Sequence, residues 1–253
     1  MSLPALFISH GSPMTAIEPS PTHHFLKRLG KELPKPKAIL CVSAHWETEK
    51  PRLTMARNPE LIYDFHGFPK ALSTVKYPAP GSPELAARVA TLLAKAGIAS
   101  VLDAQRGLDH GCWDPLYLMY PAADVPVVQL SIQPNESADH HLAVGRALAA
   151  LRDEDVLVMG SGNATHNLAA WRGSGAAPPG WVTAFSRWLD GAVLARDTES
   201  LAKYRDVAPY ARENHPTEDH YLPLLPAIAA GGEARKIHEG YDGPLDMAAY
   251  AFG

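Results

Sequence analysis

The chain of 253 residues is 46% hydrophobic and 20% charged, with a formal net charge of −4, which suits a globular protein long enough for one large α/β domain. A negative charge without a basic stripe argues against recognition of a nucleic-acid backbone. The two cysteines, Cys41 and Cys112, form no disulfide framework, and no secretory signal or membrane-spanning segment is visible, so we expect a cytoplasmic protein with neither nucleic acid nor membrane as a partner.

Short strand-like runs alternate with helix-like segments along the chain. The predicted strands are Leu3–Ile8, Ala38–Ser43, Leu53–Met55, Ala99–Leu102, Val125–Ser131 and Val156–Gly160. The predicted helices are His23–Gly30, Pro83–Ala96, Asp114–Tyr120, Asp139–Arg152, Trp181–Leu194, Ser200–Tyr204 and His220–Ala230. Strands separated by helices indicate crossover connections, so we predict a single α/β domain over residues 1–253, with a mostly parallel central sheet flanked by helices.

Local signals support one helix and mark two long loops. Ser82 and Pro83 are a typical N-cap and first helical residue, and Gly97 is placed to end the same helix. The loops Asn58–Gly81 and Gly173–Gly180 are long for a compact domain, which is typical of functional loops. We expect such loops to form a wall of a binding crevice.

Three histidines stand just beyond predicted strands. His10 follows the first strand, His45 the second, and His166 the last of the six. Ligands of open α/β sheets bind at the carboxyl ends of the strands, and imidazole is both a common ligand of transition metals and a base that titrates near neutral pH. The pattern predicts a metal enzyme with a histidine acid/base, its site at this edge of the sheet.

The segment from Asn214 to Leu225 supplies further candidate ligands. Thr217 could cap a helix whose first turn carries two carboxylates, which the helix dipole favours. The possible ligands here are His215, Glu218, Asp219 and His220. Spacing alone does not choose among them.

The other histidines are less informative. His110 lies between glycines, with Asp109 placed to orient its ring; a zinc site with Cys112 would lack further ligands at a suitable spacing. His66 lies in the first long loop, where it could line the wall of the crevice or be an ordinary loop residue. We expect the remainder at the surface: His23, His24, His140, His141 and His238.

Taken together, five ordered motifs resemble the class III extradiol ring-cleaving dioxygenases. The similarity is to the 4,5-DOPA dioxygenase type, which is related to the catalytic subunit of protocatechuate 4,5-dioxygenase. The motifs are His10-Gly-Ser-Pro, Ser43-Ala-His45-Trp, Asp109-His110-Gly-x-Trp113, Gly162-Asn-x-x-His166-Asn and Pro216-Thr-x-x-His220-Tyr-Leu-Pro-Leu.

This resemblance implies an extradiol dioxygenase that opens a catechol-type, DOPA-like ring with O2 at a non-haem metal. It implies His10, His45 and His220 as metal ligands, His166 as the acid/base, and His110 as a catalytic residue that binds the catechol or stabilises charge. We also expect substrate contacts from the Gly11-Ser12 turn, Trp46, Phe65 and Tyr221.

The implied cofactor is Fe(II), with Zn(II) possible at the same site. In the protocatechuate branch a carboxylate completes the ligand set, so three neutral imidazoles here weaken the preference for iron over zinc. Two other functions stay open: a zinc-dependent hydrolase with His166 as its base, and a non-catalytic metal-binding protein. The expected partners are a small catechol and O2, and the pattern does not distinguish a monomer from a homo-oligomer.

Overall fold

The computed structural model describes residues 2–171 and 177–253, so part of the predicted loop Gly173–Gly180 lies outside the described residues. The strands are β1 (Ala5–Ser9), β2 (Ala38–Glu47), β3 (Arg52–Thr54), β4 (Val101–Asp103), β5 (Val127–Ile132), β6 (Val156–Gly162), β7 (Ala234–His238), β8 (Tyr241–Asp242), β9 (Leu245–Asp246) and β10 (Ala249–Phe252). The α-helices are α1 (Pro21–Glu32), α2 (Pro83–Lys95), α3 (His110–Met119), α4 (Ala138–Leu148), α5 (Gly180–Leu194), α6 (Thr198–Ala202), α7 (Tyr204–Val207), α8 (Ala211–Asn214) and α9 (Leu224–Ala230).

The main sheet has the strand order β4-β3-β5-β2-β6-β1-β10-β7. Its centre, β5-β2-β6-β1, is parallel throughout, whereas β3 is antiparallel to β5 and β10 is antiparallel to both β1 and β7. The predicted α/β fold with a mostly parallel sheet is therefore confirmed. Because β6 lies between β1 and β2, the carboxyl ends of these three strands are direct neighbours.

Helices cover both faces of the sheet. Successive side chains of a strand point to opposite faces, so in β1 Phe7 packs on the side of α2, α4, α5 and α9, while Leu6 and Ile8 pack on the side of α1 and α3. All three side chains are fully buried. Burial on both faces explains why the central strands read as continuous apolar runs.

The capping signals around α2 predict this helix correctly. The Ser82 hydroxyl accepts a hydrogen bond from the backbone N–H of Leu85 at 3.1 Å, and Pro83 is the first helical residue. Gly97 adopts the left-handed conformation with φ +77°, which ends the helix one residue before the predicted position.

Helix α3 begins four residues earlier than predicted. The Asp109 carboxylate caps it by accepting from the backbone N–H of Cys112 at 3.2 Å, so His110 becomes the first helical residue. Pro115 lies inside the helix and has no N–H for the carbonyl of Gly111. That carbonyl accepts instead from the hydroxyl of Ser161 in β6.

Helix α9 begins four residues later than predicted, and Thr217 does not cap a helix. The residues before it form turns in which the backbone N–H groups of Tyr221 and Leu222 both donate to the carbonyl of Glu218, each at 2.9 Å. Pro223, with no N–H of its own, separates these turns from the helix. As a result His220 lies in a turn above the sheet.

Two strands of the main sheet, β7 and β10, lie after residue 230, where the sequence pattern predicts none. Strand β10 pairs with β1, with Ala5 opposite Phe252 and Ile8 opposite Ala249. Its partner β7 completes the edge of the sheet. These strands are short, and their pairing partners are distant in the sequence.

Candidate metal and catalytic centre

Five histidines meet at the carboxyl ends of the three adjacent parallel strands. His10 directly follows β1, His45 lies in β2 where its register against β5 shifts, and His166 comes four residues after β6. Such a shift re-aims side chains and is frequent beside functional sites. His110 begins α3, and His220 lies in the turns before α9.

The rings of His10, His45 and His220 form a nearly equilateral triangle, called here the histidine triangle. Their centroids are 5.1 Å apart between His10 and His45, 5.2 Å between His10 and His220, and 4.9 Å between His45 and His220. His110 lies 4.0 Å from His45, and His166 lies 3.4 Å from His220. The fold thus brings together the three residues expected as ligands and the two expected to be catalytic.

A hydroxyl in β6 determines which nitrogen of His10 is protonated. Nδ1 of His10 lies 3.0 Å from Oγ of Ser161, which gives its own proton to the carbonyl of Gly111. Ser161 must therefore accept from His10, so the imidazole proton is on Nδ1. Nε2 of His10 is left with a lone pair.

Carboxylates stand behind the other two rings of the triangle. Nδ1 of His220 lies 2.5 Å from Oδ2 of Asp219, and Nδ1 of His45 lies 3.4 Å from Oδ2 of Asp64. A carboxylate beside one ring nitrogen favours a proton there and leaves the other nitrogen as a ligand, as is usual behind metal-bound histidines. All three rings are supported at Nδ1.

The donor atoms fit a metal. Nε2 of His10 and Nε2 of His45 are 3.1 Å apart. When the proton of His45 is also on Nδ1, two lone pairs face each other in a site where His10 is 1% exposed. A cation between them would turn this repulsion into coordination. Neutral imidazole binds Fe(II) and Zn(II) alike, so His10, His45 and His220 suit a divalent transition metal without selecting one.

Two separate groups in the cluster have ligand atoms close together. One is His10, His45 and His110, and the other is His166, Asp219 and His220; within each group the ligand atoms lie within 4.8 Å of one another. The histidine triangle takes two residues from the first group and one from the second. Asp219 already faces Nδ1 of His220, which places it behind that ring.

Burial keeps these imidazoles neutral. The pKa values of His10 and His220 lie well below the ordinary value, first because burial disfavours the charged form and then because the other histidines repel a second charge. Burial, followed by the charge of His110, lowers the pKa of His45 to about 3. Deprotonated imidazole is the form that binds a metal.

His166 is held by its backbone and stacked by its ring. Its N–H donates to the carbonyl of Asn214 at 2.9 Å, and its ring lies within 9° of parallel to that of His220. Burial lowers the pKa of His166 to about 4, against the opposing charge of Asp219. His166 is therefore an uncharged base at neutral pH, placed beside the histidine triangle.

His110 is oriented by Asp64, a residue that is not among the site residues predicted from the sequence. Oδ1 of Asp64 accepts from the backbone N–H of His110 at 3.0 Å and lies 2.9 Å from Nδ1 of the same residue. Burial alone would raise the pKa of Asp64, but the hydrogen bonds and charge of His110 outweigh it and lower the pKa to about 2. The only signal for Asp64 in the sequence is its place in the long loop Asn58–Gly81.

The expectation that Asp109 orients His110 is wrong. The Asp109 carboxylate accepts from the Ser43 hydroxyl at 2.7 Å and also from the side chains of Gln129 and Arg106. It therefore anchors β2 beneath the site. Cys112 is a buried free thiol in the core and does not extend the ligand set of His110.

Glycines permit the close approach of the elements that carry the site. A Cβ on Gly111 would lie 2.8 Å from both Cδ2 of His45 and Oγ of Ser43. A Cβ on Gly160 or Gly162 would lie 2.1 Å from the carbonyl oxygen of Pro223 or 2.2 Å from that of His220. The Gly160-Ser-Gly162 run therefore lets the turn that bears His220 pack onto β6.

Two of the expected substrate contacts lie at the site. The ring of Phe65 meets the edge of His110 at 5.7 Å and packs edge-on against Phe68 at 5.6 Å. Gly11, with φ +69°, donates its N–H to Oδ1 of Asn163 at 2.9 Å, and the Ser12 hydroxyl accepts from the N–H of Met14 at 3.3 Å. The Gly11-Ser12 turn thus leads directly away from His10.

The other two expected contacts are not brought to the rings of His10, His45, His110, His166 and His220. Trp46 is buried beneath Arg106, whose guanidinium carbon is 5.2 Å from the ring centroid. Tyr221 is 1% exposed, stacks on Tyr204 at 3.8 Å and donates its hydroxyl to the carbonyl of Leu201. Both side chains therefore pack against the elements around the site, on the side away from the histidine rings.

Two further histidines have structural roles. His215 is fully buried and lies 2.9 Å through Nε2 from the carbonyl of Ala164, two residues before His166. It fastens the loop that carries His166 and lies outside the histidine triangle. His141, expected at the surface, is 2% exposed, so that expectation was wrong.

A model of the family "Catalytic LigB subunit of aromatic ring-opening dioxygenase" matches residues 4–252. Within the part of the chain that the structure describes, no helix has both the length and the apolar character needed to cross a bilayer.

The chain is similar to proteins named "4,5-DOPA dioxygenase extradiol". The one from Beta vulgaris is 48% identical over 248 residues, covering 94% of this chain and 92% of that protein. The one from Escherichia coli strain K12 is 44% identical over 234 residues, covering 90% and 85% respectively. A crystal structure of an uncharacterized Escherichia coli K12 protein superimposes with a TM-score of 0.84 at 38% identity, covering 99% of this chain and 100% of that one.

Proposed function

The chain belongs to the family of the catalytic LigB subunit of aromatic ring-opening dioxygenase and is an extradiol ring-opening dioxygenase; we propose that its substrate is a DOPA-like catechol. We further propose that His10, His45 and His220 hold a non-haem metal, with His166 as the acid/base and His110 as the residue that binds the substrate. The observation that carries this proposal is the histidine triangle, in which two buried rings and the partly buried ring of His45 are supported at Nδ1 and leave Nε2 available.

A bound metal would acidify the catechol hydroxyls and hold the ring and O2 next to each other. Three uncharged imidazoles leave the full charge of the cation on the site, which favours binding of a catechol anion. We propose Fe(II) as the active metal, with Zn(II) able to occupy the same ligands.

His166 would take up the second catechol proton at a ring nitrogen and later return one as the ring opens. Its low pKa, caused mainly by burial, leaves it uncharged at neutral pH and able to accept. The stacking on His220 keeps the ring within 3.4 Å of a proposed ligand without making it one. Positioned acid/base groups of this kind contribute roughly 10²–10⁴-fold to a rate.

His110 would bind the substrate through Nε2, because Asp64 occupies the Nδ1 side of its ring. Phe65, which meets the edge of His110, would pack against the aromatic ring and keep water from it. The two side chains come from different elements, α3 and the loop after β3. The pocket for the substrate's own side chain would lie between this loop and the Gly11-Ser12 turn.

Anaerobic reconstitution with Fe(II), followed by an oxygen-electrode screen of catechols that includes DOPA, tests the proposal. We expect O2 uptake equal to the catechol consumed and a yellow ring-opened semialdehyde. Unsubstituted catechol and 3,4-dihydroxybenzoate are matched substrates that probe the side-chain pocket. Protein reconstituted with Zn(II) is the control, since zinc cannot donate an electron to O2.

Other results would identify the remaining alternatives. Ester or amide hydrolysis with Zn(II), without O2 uptake under any metal, would indicate a zinc-dependent hydrolase. Tight metal binding without turnover of any catechol would indicate a metal-binding protein that is not catalytic.

A further inference from the structure

Asp64 connects two histidines of the site that belong to different elements. Its Oδ1 meets both the backbone N–H and Nδ1 of His110, and its Oδ2 lies 3.4 Å from Nδ1 of His45. His110 begins α3, whereas His45 belongs to β2. The Asp64 side chain is 23% exposed, so solvent only partly reaches it.

We propose that Asp64 is a positioning residue that fixes the ring orientation and the protonated nitrogen of both His45 and His110. Through this one carboxylate, the long loop after β3 would set which nitrogens face the metal and the substrate. The inference rests on the proposed function only in what those nitrogens do, which is to bind the metal at His45 and the substrate at His110.

His45 has two possible neutral forms, and Asp64 selects between them. With the proton on Nε2, His45 would donate to Nε2 of His10, 3.1 Å away, and could not bind a metal there. With the proton on Nδ1, it faces the negative charge of Asp64. The carboxylate favours the second form and so keeps Nε2 of His45 available as a ligand.

At His110 the constraint is tighter. Two donors of one residue share Oδ1 of Asp64, at 3.0 Å from the backbone nitrogen and 2.9 Å from Nδ1. This pairing fixes the ring relative to the first turn of α3 and directs Nε2 away from Asp64. The next residue in the loop, Phe65, packs on the edge of the same ring. The loop therefore both orients His110 and covers one side of its ring.

The other buried carboxylate nearby has a different role. Asp109 is fully buried and accepts from Ser43, from the backbone of Cys112 and from Arg106. None of these hydrogen bonds is to the imidazole of His110. Asp64 is therefore the carboxylate that fixes the orientation and the protonated nitrogen of His45 and His110.

The first test uses the metal-free wild-type protein, in which ¹⁵N NMR of labelled histidine distinguishes protonated from unprotonated ring nitrogens. We expect His45 and His110 to be protonated on Nδ1, each identified by its loss from the spectrum of the His→Gln variant. A proton on Nε2 in neutral His45, or on Nε2 alone in His110, overturns the inference. This result does not depend on ring cleavage, so it is distinct from a failure of the proposed function.

The second test removes the carboxylate. In Asp64→Asn we expect His45 to shift its proton to Nε2, and Zn(II) affinity measured by calorimetry to fall about 10–100-fold, the usual effect of losing such a partner. The control is Asp124→Asn, which removes an equal charge from an exposed ion pair with Lys35 before β5, and it should bind Zn(II) as the wild type does.

Asp64→Asn keeps an oxygen that can accept from the backbone of His110, so we expect it to fold, with an unchanged circular dichroism spectrum. Wild-type Zn(II) affinity in this variant contradicts the inference. With the Fe(II)-loaded enzyme, a rise in KM for the catechol greater than the fall in kcat supports the orienting role at His110. An equal loss in Asp124→Asn would show a general charge effect and overturn the assignment.

Discussion

His166 and His220 lie ring on ring, with centroids 3.4 Å apart and planes within 9° of parallel. Nδ1 of His220 is occupied by Asp219, so its other nitrogen is the one available to a metal, while His166 is held through its backbone by Asn214. The two neighbouring imidazoles therefore have different surroundings, which supports the proposal that His220 binds the metal and His166 transfers protons.

The first prediction concerns the metal ligands. His10→Ala, His45→Ala and His220→Ala should each abolish tight metal binding, because each removes one corner of the histidine triangle. His215→Ala is the matched control, since its ring lies outside the triangle and bonds the carbonyl of Ala164. Metal content after dialysis and calorimetric titration measure the effect. Loss of metal in His215→Ala, with retention in His220→Ala, would reverse the choice between the two.

The second prediction concerns His166. The variant His166→Ala should keep its metal and still bind a catechol, while turnover falls roughly 10²–10⁴-fold, as expected for loss of a general acid/base. Metal titration and stopped-flow O2 uptake on the same preparation separate the two effects. Loss of the metal would make His166 a ligand, and unchanged turnover would exclude it from the chemistry.

The third prediction concerns Gly111. In Gly111→Ala the new methyl group would lie 2.8 Å from both His45 and Ser43, so we expect weaker metal binding and a stability loss of about 1–3 kcal/mol. The control is Gly191→Ala in α5, where nothing lies within 4 Å of the added Cβ and the helix should gain ~0.5–1 kcal/mol. Urea unfolding of both variants compares them, and equal effects would contradict the proposed close approach.

The fourth prediction concerns pH and stability. Nε2 of His141 accepts from the N–H of Gln133 at 3.2 Å, and its Nδ1 lies 3.0 Å from the carbonyl of Ser137. Burial lowers the pKa of His141 from 6.5 to about 4. Between pH 6.5 and pH 4, His141 is protonated in the unfolded chain but neutral in the folded protein. This residue therefore makes the free energy of unfolding fall as pH decreases from 6.5 toward 4.

Removing His141 should therefore reduce the pH dependence of unfolding. We expect urea unfolding at pH 7.5 and pH 5 to differ less in His141→Gln than in the wild type, by up to about 2 kcal/mol. His24→Gln, at an exposed position in α1, is the control and should keep the wild-type difference. A wild-type difference in His141→Gln as well would show that this residue does not titrate on unfolding.

The central strands and two of the proposed ligand positions could be read directly from the sequence. Buried parallel strands are continuous apolar runs, and the residue after each run lies at the same edge of the sheet, which locates His10 and His45 with no knowledge of the rest. Helix α2 could equally be predicted from the sequence, because Ser82, Pro83 and Gly97 act on their immediate neighbours. The motifs, and the family they resemble, added the choice of His220 over His215.

Only the tertiary structure decided what lies around those rings. Asp64 reaches His110 across 46 positions of sequence, and Ser161 reaches His10 across 151, so no local pattern reports either contact. The turn that frees His220 from a helix depends on two glycines of β6 against its backbone, and β10 is defined by its pairing with β1. Periodicity and capping record short-range preferences, whereas hydrogen bonds between distant segments exist only once the chain has packed.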